Sequence, residues 1–451
     1  MLNKINKIHL VGIGGCGMSG IAEILLNMGY KISGSDISRS DITQRLTKLG
    51  AKIMFEHKPD NVIGSDVVVI SSAINKTNPE VQQAEYLKIP VIPRAEMLAE
   101  LTRIKYTISV AGTHGKTSTT SMAGLILQTG KLDPTIIVGG KLRNLGISTG
   151  AKPGKGQFLV AEADESDGSF LKLISTICIV TNIDNDHMDY YKTIKNLRNS
   201  FIQFLNKVPF YGCGIICSDD PGVRAILPHL NRKYYTYGLK NNPDITATNI
   251  KTAGWGSKFD VVFNKKLIGE FDLKVPGTHN ILNALSAICT GIELEIPVPR
   301  IQEGLKQFTG VGRRLEIRNN KNNVLYLDDY GHHPTEIKST LSAIKTNLPD
   351  RRLIVVFQPH RYSRTKLLYK QFGPVFKSAD IVRLMDIYPA GEKPIPGVTS
   401  KLILNEIKKY HGNASMFGEK DINELKKFIR QGDVVLTLGA GSVYKLHDKL
   451  C

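Results

Sequence analysis

The stretch GTHGKTS (112–118) ends in Gly115, Lys116 and Thr117, after an apolar run and before a run of small residues. Glycines followed by a lysine and a hydroxyl residue at a strand–helix junction make a phosphate cradle. Backbone amides approach the anion, the lysine reaches the outer phosphates, and the threonine hydroxyl serves a divalent cation. The stretch departs from the longer P-loop pattern, because Val110 stands where a first glycine is usual. Two acidic stretches follow it. EADESD (162–167) carries Glu162, Asp164, Glu165 and Asp167; TNIDNDHMD (181–189) carries Asp184, Asp186, His187 and Asp189. Mg2+ takes oxygen ligands and keeps several waters. Most single carboxylates in such loops are solvated or cap a helix. Two acidic loops downstream of a phosphate loop point instead to a bound metal–nucleotide.

A second phosphate-type loop lies near the start. Gly12, Gly14 and Gly17 of VGIGGCGMSG (11–20) fit G-x-G-x-x-G, and Asp36 closes the next strand, KISGSD. A tight glycine turn lets amides at a helix N-terminus approach a pyrophosphate. The geometry serves a nicotinamide dinucleotide or any other nucleotide diphosphate, so this pattern alone leaves the ligand open.

These loops need parallel strands to carry them. KIHLV, KISGSD, DVVVISSAI (66–74) and IPVIPR (89–94) alternate with helical stretches, and so do the runs ending at 111, 163 and 183. A third alternating series runs through NVLYLDDYGHHPTEI, RRLIVVFQPHRYSRT, ADIVRLMDIYPAGE and DVVLTLGAGSVYKL, after a hinge-like TGVGRRLE (309–316). The expected fold is α/β, with three domains of mostly parallel sheet flanked by helices. Their expected bounds are 1–105 (Rossmann-like), 106–312 (P-loop) and 313–451 (Rossmann-like).

Composition narrows the partners. The net charge is +18, from 59 Lys+Arg against 41 Asp+Glu, but the lysines are dispersed without a block of five. That favours anionic small molecules over nucleic acid. The six cysteines are scattered; only Cys213 and Cys217 lie close, and no second cluster completes a metal site. No apolar run is long enough for a membrane span, and the N-terminus reads directly into a strand. A cytoplasmic protein is expected; the sequence does not fix its oligomeric state.

GTHGKTSTT, EADESDGSF, TNIDNDHMDYY, GTHNILNALSA, GVGRRLE, DDYGHHPTEI and QPHRYSRT occur in this order. The ordered set resembles the Mur ligases, ATP-dependent amide-forming enzymes of peptidoglycan synthesis, from about residue 8 to about residue 445. GIGGCGMSGIAE and YGHHPTEI are similar to the branch that joins L-alanine to the lactyl carboxylate of UDP-N-acetylmuramate. The resemblance implies that the first loop holds the pyrophosphate of UDP rather than NAD, through Gly12, Gly14, Gly15, Cys16, Gly17, Met18, Asp36, Ser71 and Ser72. It places ATP on Gly112, Thr113, His114, Gly115, Lys116, Thr117 and Ser118, with Asn280, Asn283, Arg314 and Asp329. It implies two Mg2+ ions, for which Mn2+ can substitute, on Thr117, Glu162 and His187. Tyr330, His360, Arg361 and Arg364 match the loops that meet the amino acid. Lys116, His187, His333, His360, Arg361 and Arg364 form the implied catalytic set, with His333 or His360 as the base for the alanine amine. Some relatives carry a carbamoylated lysine after HMD; NSFIQF offers none. The rival readings are a sister ligase attaching a recycled murein peptide, a nicotinamide-dependent oxidoreductase, and a nucleotide-switched binding protein.

Overall fold

Strands form where the sequence runs apolar for several residues, and each chemistry-bearing loop follows such a run. The computed structural model describes residues 5–71, 73–139 and 150–450. Strands β1 (Lys7–Val11), β2 (Lys31–Ser35), β3 (Lys52–Met54), β4 (Val67–Ile70) and β5 (Val91–Pro93) form a first sheet. Its order is β3-β2-β1-β4-β5, with every pairing parallel. The winding reverses between β1 and β4, where a parallel sheet opens a crevice at the carboxyl ends of its strands. The GIGGCG turn leaves β1 at that point.

The second sheet has ten strands. They are β6 (Tyr106–Ala111), β7 (Thr135–Ile137), β8 (Ala151–Lys152), β9 (Phe158–Glu162) and β10 (Ile177–Val180). With them run β11 (Cys213–Cys217), β12 (Tyr234–Gly238), β13 (Ile245–Ala253), β14 (Gly256–Phe263) and β15 (Lys266–Leu273). The order is β15-β14-β13-β12-β11-β10-β6-β9-β7-β8. Its centre, β9-β6-β10-β11, is parallel. Residues 245–273, which strand–helix alternation does not anticipate, extend the sheet by three consecutive strands.

The third sheet joins β16 (Glu316–Lys321), β17 (Val324–Asp329), β18 (Leu353–Phe357), β19 (Ile381–Leu384), β20 (Ala414–Met416) and β21 (Val434–Leu438). Its order is β16-β17-β21-β18-β19-β20, parallel except for the β16–β17 hairpin. Its central strand β18 is apolar throughout because both faces of the sheet are covered. Leu327, Val355, Phe357 and Leu436 face one core; Ile354, Val356 and Val435 face the other.

Contacts divide the chain into two units. One comprises Met1–Lys251, Lys258–Lys274 and Asn280–Thr309; the other comprises Thr252–Ser257, Val275–His279 and Gly310–Cys451. One apolar core in the first unit runs from Leu10, Ile21 and Leu25 to Phe170, Phe201 and Phe204, and Val11, Val62, Val68 and Ala84 form a smaller one. Cys178, Cys213, Cys217 and Cys289 are buried thiols, as small apolar residues on strands and helices would be. Among the described residues, no helix is long and apolar enough to cross a membrane.

Candidate active site

The GTHGKTS loop stands at the carboxyl end of β6, between β9 and β10, and opens the helix Lys116–Thr129. Gly112 has φ +129° and Gly115 φ +85°, conformations that strain a residue with a Cβ. A Cβ on Gly112 would fall 2.1 Å from Thr181 Oγ1. The loop is splinted from the end of β10. The His114 amide donates to Asn182 Oδ1 at 2.8 Å, and the Thr113 amide to the Asn182 carbonyl at 3.2 Å. The Thr181 hydroxyl and Asn182 side-chain amide donate to the His114 carbonyl at 2.6 and 3.0 Å. The Asp184 amide donates to Thr113 Oγ1 at 3.0 Å, and His114 Nε2 lies 3.2 Å from Asp184 Oδ2. Thr181 and Asn182 open the TNIDNDHMD stretch, yet nothing in their residue types announces this splinting role. Asn283, buried on the helix Thr278–Glu293, has its Oδ1 2.7 Å from where a Gly115 Cβ would sit. Asn280 lies one turn earlier, its Oδ1 3.4 Å from Asn283 Nδ2. The structure thus brings Asn283 to the GTHGKTS loop, with Asn280 beside it on the same helix.

Lys116 donates to the Gly112 carbonyl at 2.6 Å and to both oxygens of Glu165 at 2.9 Å. Burial disfavours its ammonium form. The Glu165 carboxylate, with Asp164 and Glu162 farther off, outweighs burial and holds the lysine above its ordinary range. Glu165 is itself buried, and its carbonyl accepts the Tyr191 hydroxyl. Glu162 ends β9 and accepts the Gly139 amide at 2.9 Å. For Asp164, burial pushes the pKa up, and the Ser166 hydrogen bonds and the Lys116 cation bring it below the usual value. His187 takes φ +59°, with Nε2 3.7 Å from Glu165 Oε1 and 3.9 Å from Asp186 Oδ2. Three carboxylates around one ammonium leave a negative field that suits a divalent cation. The Thr117 hydroxyl, Glu162 and His187 are the donors that could hold it; Glu165 is committed to Lys116.

In the first sheet, the Gly12 and Ile13 amides both donate to the Ser35 carbonyl, at 2.8 and 3.0 Å. Gly12 has φ +78°, and a Cβ there would sit 3.2 Å from Ser71 Oγ. Asp36 Oδ2 accepts the Gly14 amide at 2.8 Å, so this carboxylate braces the turn. Gly15 caps the helix Cys16–Asn27 without a side-chain hydrogen bond, leaving its first amides available to an anion. Gly17 lies in that first turn, whereas the Met18 side chain is buried in the core. Ser72 and the side chain of Cys16 lie outside the described residues. Beneath the turn is a cluster the sequence did not reveal. Buried Glu80 accepts Ser35 Oγ at 2.6 Å, His57 Nδ1 at 2.7 Å and Asn61 Nδ2 at 2.6 Å.

The remaining candidates lie in the second unit. His360 follows β18, and its ring stacks on Tyr388 with centroids 5.7 Å apart. Its Nδ1 lies 3.3 Å from Arg364 Nη1, one turn along the helix Tyr362–Val375. Burial, then the Arg364 and Arg361 cations, push the His360 pKa down to about 4. The ring is therefore neutral at pH 7, with Nδ1 turned to a guanidinium. Arg361 takes φ +70°, and its amide donates to the Tyr388 carbonyl at 2.9 Å. His332 stands between Tyr330 and His360, with centroid distances of 5.6 and 5.7 Å. His333 caps the helix Pro334–Asn347, Nδ1 accepting the Thr335 amide at 3.3 Å. Asp329, at the end of β17, accepts the Leu315 and Gly331 amides at 2.8 Å each. Burial lifts its pKa to about 6 against the opposing pull of Arg314. Arg314 reaches Glu336 at 3.5 Å and lies 5.2 Å from the Tyr330 centroid. Arg313, absent from the sequence-based set, sits over the other side of this network. It pairs with Asp328 at 3.1 Å, donates to the Gly439 carbonyl at 2.6 Å, and lies 5.0 Å from the Tyr330 centroid.

The chain is similar to known proteins over its whole length. Residues 7–106 match the Mur ligase family, catalytic domain; 110–291 match the Mur ligase middle domain; 313–441 match the Mur ligase, glutamate ligase domain. The chain is 52% identical to a UDP-N-acetylmuramate–L-alanine ligase of Geobacter sp. strain M21, over all of this chain and 98% of that one. It is 51% identical to the ligase of the same name from Endomicrobium trichonymphae, over all of this chain and 99% of that one. Among solved structures, the UDP-N-acetylmuramate–alanine ligase of Thermotoga maritima superposes with a TM-score of 0.81 at 30% identity, covering 98% of each chain. A murein peptide ligase from Psychrobacter arcticus shares the fold, with a TM-score of 0.72 at 22% identity over 99% of this chain and 98% of that one.

Proposed function

The chain belongs to the Mur ligase family, and we propose that it joins L-alanine to the lactyl carboxylate of UDP-N-acetylmuramate, with ATP converted to ADP and phosphate. The observation that carries this reading is full-length identity of about half to ligases of that name. The two separate phosphate loops give each nucleotide its own place. Residues 1–105 take the sugar nucleotide, 106–312 take ATP, and 313–451 bring the amino acid.

A lactyl carboxylate oxygen attacks the γ-phosphorus, and ADP leaves; the products are an acyl phosphate and ADP. The alanine amine, giving its proton to a base for which His333 and His360 are the candidates, then attacks the acyl carbon; phosphate leaves and the amide forms. Lys116 passes from Glu165 to the β- and γ-phosphates and stabilises the charge that develops there. Gly112, Thr113, His114, Gly115 and Ser118 shape the cradle, with Asn280 and Asn283 beside it. Thr117 and Glu162 would hold one Mg2+, and Glu162 with His187 a second; Mn2+ would be accepted by the same donors. Such ions neutralise phosphate charge. In the second unit, Arg361 and Arg364 offer guanidinium forks to the alanine carboxylate or the transferred phosphoryl group. His360 orients Arg364, since its Nδ1 faces that guanidinium. Tyr330 opens the loop that covers ATP and the amino acid, Asp329 stands at its start, Arg314 lies against the Tyr330 ring, and His333 anchors the loop. The acyl phosphate needs shelter from water, which loop closure supplies. With nucleotide-linked substrates, this reading sets the reaction in the cytoplasm.

The test is phosphate release in the presence of UDP-N-acetylmuramate, ATP, Mg2+ and one amino acid or murein peptide at a time. Alanine-dependent release is expected. Release only with the peptide would assign the chain to the recycling ligases instead.

A further inference from the structure

Two loops leave the third sheet side by side. β18 and β19 are parallel neighbours, with Phe357 beside Leu384 at their ends. The segments that follow stay zipped together. The Met385 amide donates to the Phe357 carbonyl at 2.8 Å, the Tyr388 amide to the Pro359 carbonyl at 2.8 Å, and the Arg361 amide to the Tyr388 carbonyl at 2.9 Å. Ala390 and Gly391 then take φ +49° and +85°, and the Glu392 amide donates back to the Pro389 carbonyl at 3.0 Å. This tight turn brings the Glu392 carboxylate to the start of the helix Tyr362–Val375. Its Oε2 accepts the Ser363 amide at 3.0 Å, and its Oε1 accepts the Ser363 hydroxyl at 2.6 Å.

That helix start is poorly made on its own. Its N-cap is Arg361, whose side chain makes no capping hydrogen bond, and its first turn holds no acid. Asp, Asn, Ser or Thr would cap it better. Two guanidiniums, Arg361 and Arg364, stand instead at the end where the helix dipole disfavours cations. Arg361 also holds φ +70° with ψ 140°, a conformation that favours glycine. Such a start persists only where the surroundings impose it. Glu392 supplies the missing cap and counter-charge. Burial would raise its pKa, but the Ser363 hydrogen bonds and the Arg361 cation bring it below the usual carboxylate range. Tyr388 supplies the brace. Its carbonyl takes the Arg361 amide, and its ring stacks on His360 with the two planes 10° apart. Gly441 leaves room for that ring, since a Cβ there would fall 2.7 Å from Tyr388 Cγ.

We propose that the Tyr388–Glu392 turn is the positioning element of the amino-acid site, holding Arg361 and Arg364 so that both guanidiniums meet one substrate carboxylate. This rests on the proposed reading in which those arginines offer their forks to alanine. Tyr388 and Glu392 act through the arginines and His360, not on the substrate itself. One carboxylate set against two guanidiniums and a helix N-terminus leaves positive charge for the carboxylate of the amino acid.

The test is initial-rate kinetics of the full chain, with amino acid, ATP and UDP-N-acetylmuramate varied in turn. Glu392→Ala should raise the KM for alanine roughly 3–30-fold, the range of a lost helix cap. The kcat should fall by less, and the KM values for ATP and the sugar nucleotide should stay within about twofold. Glu392→Gln, which keeps an acceptor for Ser363 but not the charge, should recover part of the loss. Tyr388→Ala should raise the same KM, and Tyr388→Phe, which retains the ring, should restore it. Amide hydrogen exchange over residues 361–366 should quicken in Glu392→Ala and Tyr388→Ala, as a loosened helix start requires. A turn that only stabilises the fold would lower the unfolding temperature and leave the KM for alanine unchanged, and that result overturns the proposal. A lower KM in Glu392→Gln overturns it as well, because the carboxylate would then only screen the arginines. If wild type uses an amino acid other than alanine, the substrate reading alone falls, and the same comparison run with that amino acid still decides the role of the turn.

Discussion

Lys116 answers two demands with one ammonium. It holds the buried Glu165 carboxylate at 2.9 Å, and in the proposed reaction it serves the phosphates of ATP. Lys116→Ala should lower kcat by ~10²–10³, as loss of a transition-state cation does. Near-native turnover would remove the phosphate-loop assignment. Glu165→Ala leaves the ammonium without its partner and should destabilise the fold by about 3–5 kcal/mol. Denaturation of both single variants and the double variant closes the cycle, and the double should be more stable than additivity allows. Lys116 was legible in the sequence because Gly-Lys-Thr after a strand has few other uses. The part played by Glu165 was not, because four acids within EADESD look alike until the chain turns. Arg364 makes a comparable case. The His360 ring fixes its fork, so Arg364→Ala should raise the KM for alanine or cut kcat, with Arg364→Lys a poor replacement. Normal turnover of Arg364→Ala at low alanine would show that this guanidinium does not read the substrate. Borohydride trapping without alanine tells which of the two steps is lost.

At the level of elements, the turn after β1 is held from below. Ser35 ends β2; its carbonyl takes the Gly12 and Ile13 amides, and its hydroxyl donates to Glu80. His57 and Asn61 donate to the same carboxylate, and His9 Nε2 lies 3.4 Å from it. Burial alone would raise the Glu80 pKa, but these contacts outweigh it and bring the group from 4.5 to about 2. The folded state therefore favours the ionised form. The stabilisation is complete above the unfolded value near 4.5 and fades as pH falls towards about 2. It amounts to about 3 kcal/mol, at 1.36 kcal/mol for each pKa unit. Urea unfolding of wild type and Glu80→Gln should show a gap at pH 7 that narrows between pH 4.5 and 3. A gap independent of pH would mean that Glu80 acts through packing alone. None of this cluster could be read from the sequence. His9, Ser35, Asn61 and Glu80 lie on four different elements and His57 in a loop, and no spacing rule links them. The glycine turn itself was legible, because its conformation is written in local residue types.

For the molecule as a whole, strand–helix alternation foretold the parallel sheets, since fully apolar runs such as ICIV and LIVVF suit strands covered on both faces. It missed residues 245–273, where polar and apolar residues mix and much of β13 is exposed, so no long apolar run marks them. The two phosphate loops open two different sheets, yet both belong to one contact unit with a continuous core. That arrangement has a thermodynamic consequence. A ligand that binds only the folded state stabilises it by RT ln(1 + [L]/Kd), about 2.7 kcal/mol at a hundredfold excess over Kd. If UDP-N-acetylmuramate and ATP–Mg occupy separate loops, each should add its own increment to the same unfolding transition. Saturating sugar nucleotide should leave the ATP increment intact, whereas ligands competing for one site would give only the larger of the two. Lys116→Ala should erase the ATP increment and spare the other. NAD should add nothing, because the turn after β1 would be reading a uridine-linked diphosphate. Calorimetric or dye-monitored unfolding with each ligand alone and both together measures this. A combined shift no greater than the larger single shift would put both nucleotides in one site and end the two-loop reading.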